Sequence, residues 1–160
     1  LGLREGPVHA ELRINEDGVW PIELAGRSIG GLCSTIPEFG AGMSLEELIL
    51  RQAVGLDLPS VERRGGAVGV MMIPIPKRGL LRCVDGQEEA LQVPGITGLE
   101  ITARLNYQIE PLPEGSAYLG FIFASAESPA EVEAALREAH DRLQIRIDTV
   151  IPLMLSSSGV

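Results

Sequence analysis

The sequence predicts an α+β fold, an antiparallel or mixed sheet with helices on one side. Three observations predict it. Short runs with strand periodicity recur along the chain, two segments open with helix-cap signatures, and the clearest helix directly follows a strand rich in aromatic and β-branched residues. At 160 residues and 45% hydrophobic content, the chain can form one domain, or one small domain plus part of another, around a real core.

The first element is a hairpin. Val8, Ala10, Leu12 and Ile14 are apolar and alternate with His9, Glu11 and Arg13, the period-two pattern of a half-buried strand. A second strand runs from Val19 to Ala25, and Asn15-Glu16-Asp17-Gly18 reads as a three-residue loop with Gly18 in the left-handed position. Pairing Asn15 with Val19 then sets Ile14 against Trp20, Leu12 against Ile22 and Ala10 against Leu24, with every apolar residue on one face and Trp20 in the core. The opposite face brings Glu11 directly across from Glu23.

A Gly-rich stretch, 26–42, leads to Ser44 and Glu47, a capping-box pattern that opens a helix through Leu45, Leu48, Ile49 and Ala53 and ends near Gly55. The polar segment from Asp57 to Gly66, with Pro59 and a glycine pair, marks a boundary, so the expected domains are 1–58 and 59–160. Ala67 to Ile75 and Leu80 to Val84 read as strands joined by a turn at Pro76-Lys77-Arg78-Gly79, with Met71 and Met72 filling core gaps. Gln87 to Leu91 fits a short helix, and Leu99 to Leu105 and Tyr118 to Ser125 fit further strands. Ser128-Pro129-Ala130-Glu131 combines an N-cap, a proline at the first helical position and a glutamate at the third; Val132, Ala135, Leu136, Ala139 and Leu143 then share one stripe. Ser156 to Ser158 form a low-complexity tail.

Charge narrows the partners. A net charge of −9 with scattered basic residues argues against nucleic acid and anionic membrane surfaces, both of which need clustered Lys and Arg. No apolar run reaches the roughly 20 residues of a spanning helix, and no signal-peptide order opens the chain, so a cytoplasmic protein is expected. Cys33 and Cys83 lack CxxC spacing and read as ordinary reduced thiols. A start at Leu1, already close to a strand pattern, reads as a piece of a longer protein.

The chemistry concentrates on the glutamates. Like charges opposite one another destabilise a sheet, so a register that selects them requires a compensating cation or a well-solvated face. Carboxylate oxygens suit Mg²⁺, which takes one or two of them with phosphate oxygens and water, and Arg27 would extend the same face with a permanent cation for a phosphate. On spacing alone, a solvated strand face remains the commoner reading. His9 shares that face, as a lining group, a proton carrier or a strand histidine without a role; Arg13 pairs with Glu16 or Asp17, the commoner reading, or assists phosphate binding, and His140 lies at the surface.

The run from Gly6 to Arg13, followed by the run from Ile22 to Gly31, resembles the C-terminal metal-binding hairpin of ATP-grasp ligases, most closely the L-amino acid ligase branch. The resemblance implies ATP and Mg²⁺ or Mn²⁺ as cofactors, Glu11 and Glu23 as metal ligands, and Arg27 as the catalytic contact to the transferred phosphate. It also implies that Arg27, Ser28, Gly30 and Gly31 border the nucleotide. The implied reaction is carboxylate–amine ligation through an acyl phosphate, with amino acids or other carboxylates as substrates. Ala25 stands where many ATP-grasp enzymes place an asparagine ligand, a departure that also occurs in the amino acid ligase branch. Gly65 to Ile75, Leu119 to Ala124 and the helix from Pro129 are similar to the appended α+β domain of those ligases and to the closing domain of biotin carboxylases. No lysine-bearing lid, adenine slot or substrate domain accompanies it, so the segment is expected to be inactive alone, with self-association through an apolar surface. Two other readings stay open: a non-catalytic interaction or oligomerisation module, and a biotin carboxylase-like carboxylate-activating enzyme.

Overall fold

Strand β1 (His9–Asn15) and strand β2 (Gly18–Ala25) form an antiparallel hairpin, closed by the two residues Glu16 and Asp17. This computed structural model describes residues 2–35, 38–39, 42–63 and 65–149, so the Ser156 to Ser158 tail lies outside the described residues. The loop differs from the three-residue expectation: Asn15 pairs with Gly18, Ile14 with Val19, Arg13 with Trp20 and Leu12 with Pro21. A bulge at Ile22 then restores the expected pairs, Glu11 with Glu23 and Ala10 with Leu24. Proline has no N–H for the ladder, and a bulge is where a strand tolerates one. The Trp20 expectation is overturned by the same shift, because the indole stands on the side of Arg13 and Asn15 and is 55% exposed.

Helix α1 (Leu45–Ala53) follows a short strand pair, β3 (Glu38–Phe39) with β4 (Met43–Ser44). The Ser44 hydroxyl accepts from the backbone N–H of Glu47, the N-cap half of the predicted box. The C-terminus closes as a Schellman motif: Leu56 N–H donates to the Arg51 carbonyl and Gly55 N–H to the Gln52 carbonyl, with Gly55 at φ +70. These elements belong to the compact unit Leu1–Val68; a second unit covers Gly69–Val160.

The second unit holds most of the buried core. Strand β5 (Ala67–Ile73) lies in a three-stranded sheet of order β5-β9-β7, with β7 at Ile96–Ile101 and β9 at Gly120–Ala126. A second sheet, order β10-β6-β8, comprises β6 (Gly79–Asp85), β8 (Gln108–Ile109) and β10 (Gln144–Asp148). The turn at Pro76 to Gly79 therefore passes the chain between sheets instead of closing a hairpin, and Arg78 within it pairs with Glu110 at 3.3 Å. Strand alternation turns Met72 outward, 42% exposed, so it fills no core gap.

Helix α2 (Gln87–Leu91) and helix α3 (Pro129–Arg142) pack against each other and against the β5-β9-β7 sheet, which places the helices on one side of it. The Ser128 hydroxyl accepts from Glu131 N–H and the Glu131 carboxylate accepts from Ser128 N–H at 2.9 Å, completing the capping box. Val132, Ala135, Leu136 and Ala139 are buried, as the stripe predicted, while Leu143 lies past the helix end. Gly69 permits the close approach, since a Cβ there would stand 2.6 Å from the Val132 Cγ1. From the other sheet face, Phe121 and Phe123 stack with centroids 6.3 Å apart.

Candidate functional site

Glu11 and Glu23 are direct cross-strand partners below the bulge, and both side chains are exposed. Directly opposed residues have Cβ atoms about 4.5–5.5 Å apart. Repulsion between two carboxylates at that spacing is offset only in part by Arg27, whose guanidinium stands 4.0 Å from the Glu23 carboxylate and donates to the Ser28 carbonyl at 3.0 Å. An exposed pair of that length contributes little, which leaves most of the guanidinium donors available to another anion. His9 lies two positions before Glu11 on the same side, opposite Ala25, and its Nδ1 is buried without a hydrogen-bond partner.

The chain then turns past Ser28 to the exposed Gly30 and Gly31. A Cβ at either glycine would meet nothing within 4 Å, so neither is crowded by a neighbour, and of the two only Gly31 requires glycine through its φ of +63. Gly31–Thr35 forms a 3₁₀ turn, with the Ser34 hydroxyl donating to the Gly31 carbonyl at 3.1 Å. The Ser34 side chain is the main cause holding the Glu46 carboxyl below the ordinary carboxylate value, followed by a backbone N–H, while desolvation acts against them and the Ser44 hydroxyl adds the smallest lowering. An ionised Glu46 in the first turn of α1 also suits the helix dipole.

The donor set fits Mg²⁺ or Mn²⁺ only when a phosphate shares the ion. Among the described residues no group of three His, Cys, Asp or Glu side chains could hold a metal. Two carboxylates completed by phosphate oxygens and water are a common magnesium arrangement, whereas a protein-only cage would need more ligands. The Cys83 thiol donates to Asp85 at 3.0 Å, and that hydrogen bond, with desolvation, pushes its pKa up and disfavours the thiolate. A hollow of about 240 Å³ between the Glu5 to Pro7 segment and α1 contains none of the site residues.

The face of Trp20 is what sequence reasoning missed. Pro21 inside the strand was the available signal, since a bulge there reverses which residues above it share a face with Glu23.

Residues 1–36 match the family model described as the ATP-grasp domain, and residues 71–148 match that described as L-amino acid ligase C-terminal domain 2. Glu11, Glu23, Arg27 and the glycine loop all fall within the first match. Among solved structures, the chain is similar to L-amino acid ligase from Bacillus licheniformis, at 29% identity and TM-score 0.72, covering 92% of this chain and 38% of that one. Phosphoribosylglycinamide synthetase from Anaerococcus prevotii follows at 17% identity and TM-score 0.66, covering 88% and 37%. Biotin carboxylase from Campylobacter jejuni matches at 18% identity and TM-score 0.60, covering 91% and 33%. At those identities the last two share the fold alone. No curated protein matches the chain. No helix among the described residues is long and apolar enough to cross a membrane. Two family models and the shared architecture identify the chain as L-amino acid ligase-like, of the ATP-grasp group, corresponding to the C-terminal part of that architecture.

Proposed function

We propose that this chain supplies the metal- and phosphate-binding hairpin of a cytoplasmic, ATP-dependent carboxylate–amine ligase whose substrates are amino acids or related carboxylates. The observation that carries it is the direct pairing of Glu11 with Glu23 beside Arg27 and an open glycine loop. Residues 1–58 would complete the ATP-grasp domain and 59–160 would form the appended C-terminal domain.

In the reaction, a substrate carboxylate oxygen attacks the terminal phosphorus of ATP, ADP leaves, and an acyl phosphate forms. An amine nitrogen then attacks the acyl carbon, loses a proton, and inorganic phosphate departs. Mg²⁺ or Mn²⁺, when bound, supplies electrostatic stabilisation of the phosphoryl oxygens. Glu11 and Glu23 hold the ion by opposed carboxylates, Arg27 orients and neutralises the transferred phosphoryl group, and Ser28, Gly30 and Gly31 leave room for it. The chain spans 38% of the similar ligase, and turnover is proposed for the complete protein and not for these 160 residues alone.

The test is ATP-dependent phosphate release by the complete protein with a panel of amino acid pairs. Glu23→Ala is expected to lower it about 100-fold, on the order of losing one stabilising contact to developing charge. Undiminished release in the variant removes the metal assignment. That outcome would favour a second reading, a non-catalytic interaction module, which the exposed Leu12, Ile14, Val19 and Leu24 on the other side of the hairpin support.

A further inference from the structure

We propose that His9 is a positioning residue: its Nδ1–H donates a hydrogen bond to the Glu11 carboxylate and sets that carboxylate for the ion, an inference that rests on the ligase reading. The observation behind it is an orphaned atom. Among the described residues, the Nδ1 of the half-buried His9 is the one buried side-chain nitrogen or oxygen without a hydrogen-bond partner. Nearly all buried polar groups in folded proteins are paired, because an unpaired one carries its desolvation cost uncompensated.

The ladder shows where a partner can come from. The pairs His9–Ala25 and Glu11–Glu23 follow one another without a break in register, so all four side chains project to one side of the hairpin. Directly across from His9, the methyl group of Ala25 offers an imidazole nitrogen neither donor nor acceptor. The polar neighbours within the ladder are the two glutamates: Glu11 is two residues on, about 6.6 Å along the strand, and Glu23 lies on the diagonal, about 7–8 Å away. Glu23 already approaches Arg27 at 4.0 Å, whereas Glu11 has no ion pair among the described residues, so Glu11 is the carboxylate left for the imidazole. His9 is not a third ligand. No three His, Cys, Asp or Glu side chains among the described residues could hold a metal, and the imidazole therefore acts on the carboxylate and not on the ion. A second hydrogen bond of this kind orients a ligating carboxylate and tunes its hold on the metal.

Binding of Mn²⁺ in the presence of ATP, followed by the electron paramagnetic resonance of the free ion, tests this on the complete protein without reliance on turnover. Asparagine places its amide nitrogen where histidine holds Nδ1, and glutamine places it where histidine holds Nε2. His9→Ala and His9→Gln are therefore expected to weaken Mn²⁺ binding about tenfold, the size of a lost outer-shell contact, and His9→Asn to retain most of it. Circular dichroism verifies that each variant folds, and the comparison of asparagine with glutamine decides if the alanine variant does not. Equal weakening in all three makes His9 a packing residue and overturns the hydrogen bond, as does rescue by glutamine instead of asparagine. Glu23→Ala separates failure of this inference from failure of the ligase reading. Loss of Mn²⁺ there, with every His9 variant binding as the unaltered protein does, overturns the role of His9 and leaves the carboxylates standing; undiminished binding in Glu23→Ala overturns both.

Discussion

Glu11 and Glu23 oppose each other although an uncharged pair would make a more stable hairpin, a local conflict that the proposed metal site would account for. The conflict gives a prediction. Without metal or nucleotide, Glu23→Gln is expected to raise the thermal stability of the hairpin unit, by about 0.2–1 kcal/mol, because a like-charge contact disappears. Melting curves at low salt test it, and the gain should shrink at high salt as screening grows. The same substitution should weaken Mg²⁺-dependent triphosphate binding, which separates a strained site from an ordinary surface pair. Arg27 does not remove the conflict, since its exposed 4.0 Å approach to Glu23 adds little.

At the element scale, local chemistry and long-range packing divide the work. The helix starts are local: Ser44 and Ser128 each satisfy a backbone N–H three residues on, and the sequence spacing announces both. Ser128→Ala should cost about 1 kcal/mol of unfolding free energy by loss of the cap, read from denaturant midpoints at unchanged slope. A glutamate three residues after Ser128 also reaches back, so Glu131→Ala should cost part of the same energy and the two losses should not add. The short strands are not local. Gln108–Ile109 and Gln144–Asp148 occupy the two edges of β6; the first is too short to show alternation, whereas the second alternates strictly, with Ile145 and Ile147 between Gln144, Arg146 and Asp148.

Over the whole molecule the burial is uneven. Among the described residues, Met43 is the one buried hydrophobic residue before position 68, whereas Ile73, Leu81, Leu119, Ile122 and Ala139 are wholly or almost wholly buried in the second unit. Seven large apolar residues of the hairpin and its approach, Val8, Leu12, Ile14, Val19, Trp20, Ile22 and Leu24, are 48% exposed or more. A two-stranded sheet with no packed face is marginally stable in water. Hydrogen exchange should therefore release the amides of β1 and β2 well before those of β9, and equal protection of the two would contradict this distribution of the core.

The sequence by itself determined the hairpin, both helix starts, the buried stripe of α3 and the order of the main strands, because each rests on periodicity or on a cap within a few residues; the opposition of Glu11 to Glu23 was expected from a three-residue loop and is made instead by a two-residue turn with a bulge at Ile22. Tertiary structure decided which strands share a sheet, since pairing β5 with β9 and β6 with β10 depends on residues far apart in the chain. It also decided the face of Trp20. A single bulged residue at Ile22 inverts the alternation above it, and with a period of two that inversion carries the indole from the expected core to the side of the carboxylates.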